Sequence, residues 1–270
     1  KINFIFISRS LIFAFFSLFL FFFKNTNVLI VSEFISLTVI FFFFIFYFST
    51  YFNFQFKKLF STALKNKEFF FKNSFFNLIN LIMSNLPVIF LTIHYDLKYT
   101  AFFALCSRAV FTPLSFISRS LSHIHLKKIT DLINCNKNAI PYLIKITFVL
   151  IGLITIPTLV LFFFSELIFS YLFGKSWLEA GQMMSILIFT FSFQFVVRTL
   201  SQVFAPTGNL NLSFLWKILS FITMFSFFYF FSGKLEIYQL IYLFVYLNII
   251  LYFLYYLFIF IAVKKPKKNI

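Results

Sequence analysis

The 270-residue chain is 61% hydrophobic and only 11% charged, which excludes an ordinary soluble domain and puts it among polytopic membrane proteins. Its formal net charge of +16 does not signal nucleic acid, because the basic residues are scattered between apolar runs and form no RNA- or DNA-binding motif. The 52 Phe, with abundant Ile, Asn and Lys, are the amino acids of A/T-rich codons, and in lipid a Phe serves about as well as a Leu.

Hydropathy predicts an all-α chain of about eight transmembrane helices. The first runs from about Phe4 to Phe23 with Arg9 near its start, and Lys24 to Asn27 lead into the second, about Val28 to Tyr51. The segment from Asn53 to Asn73 sets Lys57, Lys58, Lys65, Lys67 and Lys72 between aromatic clusters, the pattern of an amphipathic helix on a membrane surface. It is the longest basic break and the expected boundary between two lobes, with a domain of two helices before it and one of six, about residues 74 to 263, after it.

The third helix, about Phe75 to Ile93, carries Asn77, Asn80 and Ser84 on one face. The fourth, about Thr100 to Ser122, contains Arg108, Pro113 and Arg119; an ideal α-helix places the two arginines on one face about 16 Å apart. A polar loop is expected from His123 to Asn138. The fifth helix then runs from about Ile140 to Phe164, with a kink at Pro157. Ser165 to Gly181 reads as a connection anchored at the interface by Trp177. The sixth helix, about Met183 to Phe204, carries Gln194, Arg198 and Gln202 as one polar stripe and ends at Pro206 and Gly208. The seventh, about Leu212 to Phe231, and the eighth, about Ile237 to Val263, complete the set, and a basic tail occupies residues 264–270.

Loop charge orients the chain. On alternate connections, Lys1, the Asn53 to Asn73 lysines, Lys127, Lys128, Lys137 and the four tail lysines fall on one side; Lys24, Lys98, Lys175 and Lys234 fall on the other. The bias predicts a multi-pass protein of the cytoplasmic membrane with both chain ends in the cytoplasm.

The four arginines all lie inside predicted spans, whereas lysine supplies the loop charge. An arginine in mid-helix costs about 2.5 to 3.5 kcal/mol on insertion scales, so it should face protein or a wet cavity. A planar guanidinium offers bidentate donors suited to phosphate. The candidate substrate site is therefore a cationic cavity of Arg108, Arg119 and Arg198 with Gln194, Gln202 and Asn80; against it stands the plainer reading that each arginine snorkels to an interface or pairs locally. Glu33, Asp96, Glu166, Glu179 and Glu236 fall at or near the outer side, so no mid-span carboxylate is available to couple a proton or sodium ion.

Enzymatic chemistry has little to stand on. There are no paired carboxylates, no nucleophile elbow, no H-E-x-x-H and, with five Gly in all, no Gly-rich phosphate loop. Cys106 and Cys135 make an improbable disulfide, and His94, His123 and His125 lack partners at metal-ligand spacing, so neither metal nor other cofactor is expected. A membrane glycan polymerase would want a large outer loop, an acyltransferase a buried catalytic His, and a scaffold leaves the intramembrane arginines unexplained.

Phe173-Gly174, Trp177 and Ala180-Gly181 before the sixth helix, Ser201-Gln202 and Gly208 after it, and the run AFFALCSRAVFTPLSFISRSL with Arg108 and Pro113, stand in a characteristic order. In this the chain resembles the polysaccharide-exporter branch of the multidrug/oligosaccharidyl-lipid/polysaccharide superfamily, the O-antigen-type oligosaccharide flippases. The resemblance implies two six-helix lobes around a central cavity, working by alternating access on a polyprenyl-pyrophosphate-linked oligosaccharide for lipopolysaccharide or other surface glycan. It implies membrane lipids and other polysaccharide-assembly membrane proteins as partners. On that pattern the chain carries the last two helices of a first lobe and a complete second lobe, and is N-terminally incomplete. A drug/cation antiporter of the same superfamily is the alternative within transport, but a cavity with arginines and no carboxylate suits it poorly.

Overall fold

A computed structural model describes residues 67–135 and 137–264, with side chains from residue 78, together with six positions between 35 and 42. The first two expected helices and most of the basic connection at Asn53 to Asn73 lie outside the described residues. The chain divides into two compact units, Lys1–Phe70 and Phe71–Ile270, and the packing described here belongs to the second.

From Lys67 onward the chain is helical, with no strand among the described residues. The helices are α1 (Lys67–His94), α2 (Leu97–Cys106), α3 (Thr112–Asn134), α4 (Ile140–Phe173), α5 (Leu178–Leu200), α6 (Leu210–Phe231) and α7 (Ile237–Lys264). A π-turn, Ser107–Phe111, joins α2 to α3, and 3-10 turns at Lys175–Trp177 and Ser201–Phe204 flank α5. Among the described residues five helical segments are long and apolar enough to cross a membrane, with α2, the π-turn and α3 counting as one segment; the apolar part of α1, Leu78–His94, is shorter. The chain is a polytopic membrane protein.

From the third expected helix onward the elements are present in the expected order, but several ends move. α1 begins at Lys67, inside the expected basic connection. α3 continues to Asn134 through what hydropathy reads as a loop from His123, because Ile129 and His125 are buried while Lys127 and Lys128 are exposed, an amphipathic pattern that sustains a helix after hydropathy falls. α4 likewise runs past Pro157 to Phe173, so most of the expected connection Ser165 to Gly181 is helix. The chain turns only at Gly174, whose φ of 97° favours a residue without Cβ.

α5 is the central helix. It packs against α4, α7, α3 and α2, and most of its length is buried. At its start small residues let the neighbours close in: a Cβ on Gly181 would stand 2.6 Å from the Glu166 Cα of α4. The Ser165 hydroxyl donates to the Gly181 carbonyl at 2.8 Å, and Cys106 packs its sulfur 3.3 Å from the Ala180 carbonyl. Close backbone approach is how helices associate in lipid, where no hydrophobic force drives apolar faces together. α4 carries the opposite surface, an exposed flank including Phe148, Ile156 and Phe163, suited to lipid contact.

The core falls into two apolar clusters stacked along the bundle. One gathers Phe103, Met183, Leu187, Phe228, Leu240 and Phe244; the other gathers Ile129, Leu143, Leu200, Trp216, Tyr252, Tyr255 and Ile259. On α5 the division falls between Phe191 and Phe195, and on α7 between Leu251 and Tyr252. Gln194 lies at the same level as that division.

Candidate functional site

A cavity of about 420 Å³ opens among α1, α2, the π-turn, α3, α5, α6 and α7. Its wall includes Asn80 and Ser84 of α1, Arg119 of α3, Gln194 and Arg198 of α5, Ser201, Lys217 of α6, and Asn248, Tyr252 and Tyr255 of α7. None of the wall residues among those described is an Asp or Glu. Among the described residues, three cations thus contribute to the wall and no carboxylate does.

Arg198 is the best-defined of them. It sits in the last turn of α5, not at mid-helix, so its charge lies next to the negative end of the helix dipole and is less costly than a central position would make it. Tyr252 accepts hydrogen bonds from its Nε at 3.2 Å and its Nη2 at 3.1 Å. The guanidinium carbon also lies 5.0 Å from the centre of the Phe111 ring. The partners are neutral: an oxygen and an aromatic face orient the cation without cancelling its charge.

Tyr252 is in turn supported from behind. Trp216 packs 5.2 Å from its ring and stacks on Tyr255 at 3.9 Å, while Phe204 stacks on the same Tyr255 at 5.5 Å. The Trp216 indole donates to the Leu251 carbonyl at 2.8 Å, and the Tyr255 hydroxyl is 3.1 Å from Ser213. This aromatic group fixes the α6 and α7 side of the cation site. At the far side of the cavity Phe103, Phe191, Phe228 and Phe244 form an apolar floor, with Phe103 and Phe228 both against Phe244 at 6.0 and 5.6 Å.

Of the six residues expected from sequence, Asn80, Arg119, Gln194 and Arg198 line this one cavity. Arg108 and Gln202 are exposed and are not among its wall residues. Both depart for the same reason, a helix that is not ideal. A π-turn closes each hydrogen-bonded ring over one more residue than an α-helix, so Ser107–Phe111 turns the chain more slowly and Arg108 loses its alignment with Arg119. α5 ends at Leu200 and tightens into a 3-10 turn, which takes Gln202 off the stripe begun by Gln194 and Arg198.

Lys217, Asn248 and Tyr252 belong to the wall but were not expected there. A signal existed for Asn248: it is the only amide in the apolar run from Leu240 to Val263, and an isolated polar residue in a span faces protein. Among the described residues no group of His, Cys, Asp or Glu could hold a metal ion.

The bundle and its cavity define a polytopic membrane protein with an internal cationic site. A family model described as polysaccharide biosynthesis protein matches residues 1–182, two thirds of the chain, and the chain belongs to that family. Its work is therefore in polysaccharide biosynthesis. No curated protein and no solved structure matches it. Asn80 and Arg119 fall within the matched residues, whereas Gln194, Arg198 and Lys217 lie beyond them.

Proposed function

We propose that this protein is a flippase, not an enzyme, which carries a polyprenyl-pyrophosphate-linked oligosaccharide across the cytoplasmic membrane for surface polysaccharide assembly. The observation that carries the reading is the cavity wall itself, which among the described residues presents Arg119, Arg198 and Lys217 and no Asp or Glu. A cationic, partly dry site attracts a phosphate-bearing group and repels a cationic drug. The guanidinium of Arg198, oriented by Tyr252 and Phe111, keeps donors available for phosphate oxygens. The lipid tail would stay in the bilayer while the charged link and glycan occupy the cavity.

On the positive-inside count, the Arg198 end of α5 and the C-terminal end of α3 face the cytoplasm, so substrate would load from that leaflet. Release on the other side requires the cavity to open there, which rocking of one lobe against another achieves. Other polysaccharide-assembly membrane proteins would supply the substrate and receive it. The test is Arg198→Ala in the intact protein: export of surface glycan is expected to stop while membrane insertion stays normal. Unchanged surface glycan overturns the proposal.

A further inference from the structure

A second hollow lies on the face of α5 turned to α4 and α7. It encloses about 550 Å³, the scale of a ligand site, and is lined by residues between Thr147 and Leu159 on α4, Phe189 and Val197 on α5, and Ile249 and Tyr256 on α7. Ile154 and Val197 form a buried floor, while Ile151, Leu159, Phe189 and Phe253 are exposed at the rim. Among the described residues the hollow therefore opens sideways, beside the flank that α4 shows to lipid.

Its chemistry selects an apolar occupant. Thr158 donates to the Ile154 carbonyl and lies 2.6 Å from Ser192; Thr147 donates to the Leu143 carbonyl and lies 3.2 Å from Tyr256; Thr155 donates to the Ile151 carbonyl. These hydroxyls are engaged within the protein, and the rest of the wall is aliphatic or phenyl. Water finds no set of partners in such a space, which takes an apolar guest instead. Length narrows the guest further. Thr147 and Leu159 are twelve residues apart, so the hollow runs about 18 Å along α4, against about 15 Å of hydrocarbon in one leaflet. Those are the dimensions of a slot for one acyl chain.

The charges at its end identify the lipid. The slot starts at Thr147, two turns into α4, at the end of the bundle that the positive-inside count puts in the cytoplasm. Lys145 stands just outside it on the Leu159 edge of α4, and Lys264 ends α7 on the face that carries Phe253 and Phe260. Both lysines are exposed, and among the described residues neither pairs with an acid. The Cα–Cβ bonds of a helix tilt toward its N-terminus, and α4 and α7 run in opposite directions. Lys145 thus leans toward the cytoplasm and Lys264 back toward the membrane, so the two converge at headgroup depth. A pair of cations there complements an anionic headgroup.

We propose that this slot holds one acyl chain of an anionic phospholipid from the cytoplasmic leaflet, with Lys145 and Lys264 at its phosphate, and that this lipid is a resident part of the α4, α5 and α7 seam and not cargo. The slot shares no wall residue with the cationic cavity, so the assignment stands or falls apart from the flippase reading.

The experiment uses the intact protein, delipidated in detergent, and measures retained lipid by native mass spectrometry. The probes are phosphatidylglycerol and phosphatidylcholine with identical palmitoyl chains, and a polyprenyl monophosphate as competitor. Wild type is expected to retain one phosphatidylglycerol about tenfold or more tighter than phosphatidylcholine, the scale of two lysines near a charged headgroup. In the double variant Lys145→Gln, Lys264→Gln that preference falls to about twofold or less, with the melting temperature of the lipid-free protein unchanged. Ile151→Trp fills the mouth of the slot and weakens both phospholipids about tenfold; Thr155→Trp, exposed on the same wall, is expected to do the same and takes its place if the first variant does not fold.

Equal retention of the two phospholipids overturns the proposal, as does a preference that survives the double variant. Retention untouched by the tryptophan variants overturns it too, since the lipid would then sit elsewhere. If the polyprenyl monophosphate displaces phosphatidylglycerol at equal or lower concentration, the slot seats the tail of the cargo and the resident lipid is likewise refuted.

Discussion

α5 has a cavity on each of two faces, and the difference between them shows how a membrane helix separates function from packing. On one face Gln194 and Arg198 line the cationic cavity. On another a space of about 550 Å³ lies against α4 and α7, walled by Ile151, Ile154, Phe189, Phe193, Val196 and Phe253. That second space also contains hydroxyls, but they are spent within the protein. Thr158 lies 2.6 Å from Ser192, Thr147 lies 3.2 Å from Tyr256, and Thr155 donates to the Ile151 carbonyl at 2.7 Å. Its polar atoms hold helices together, whereas on the other face Gln194 and Arg198 turn polar groups toward a cavity. Polar groups turned to a cavity, more than polarity itself, are what mark a site.

Substitutions on each face should separate the two roles. The largest effect belongs to Arg198→Ala, which should reduce transport of the lipid-linked glycan in reconstituted vesicles at least a hundredfold with insertion intact; if transport persists, the cationic face has no special standing. Gly181→Leu attacks the packing that seats α5 on α4. The added side chain meets Glu166 and Ser165 backbone within 3 Å, and we expect a destabilisation of about 1–3 kcal/mol in thermal unfolding in detergent.

Tyr252→Phe removes the oxygen that accepts from both Arg198 nitrogens while keeping the ring. Transport should fall about tenfold, equivalent to about 1.4 kcal/mol, with little change in melting temperature. Equal losses of transport and stability would instead make Tyr252 part of the scaffold. The smallest effect belongs to Ser192→Ala on the apolar side. Losing its contact with Thr158 should cost about 0.6 kcal/mol of stability, and transport should be unaltered. A transport defect there would erase the distinction between the faces.

The spans were legible in the sequence because apolar runs of the right length have few other uses. Their ends were not: hydropathy falls at His123 and again at Ser165, but backbone hydrogen bonding and one buried face carry α3 to Asn134 and α4 to Phe173. The site divides in the same way. Asn80, Arg119, Gln194 and Arg198 could be singled out as polar groups unlikely to tolerate lipid, and they share one cavity. Arg108 and Gln202 were placed by assuming a perfect helical period, which the π-turn and the 3-10 turn break. Tyr252 carries no signal at all in a chain with 13 Tyr, since its importance comes from meeting Arg198 across the bundle.

The length of α4 has a consequence for the surroundings of the protein. Its 34 residues span about 50 Å, against a bilayer hydrocarbon thickness of about 30 Å. A rod that much longer than its solvent must tilt or protrude, and Tyr171, 89% exposed, with Trp177 beyond Gly174, provides amphipathic rings at that end to hold a preferred depth. Because α4 is packed along α5 and pinned to it at Gly181, any tilt of α4 imposed by a thinner or thicker bilayer is passed to the helix that carries Arg198. Acyl-chain length is thus a physical input to this protein, acting through the inclination of the least buried of its described spans.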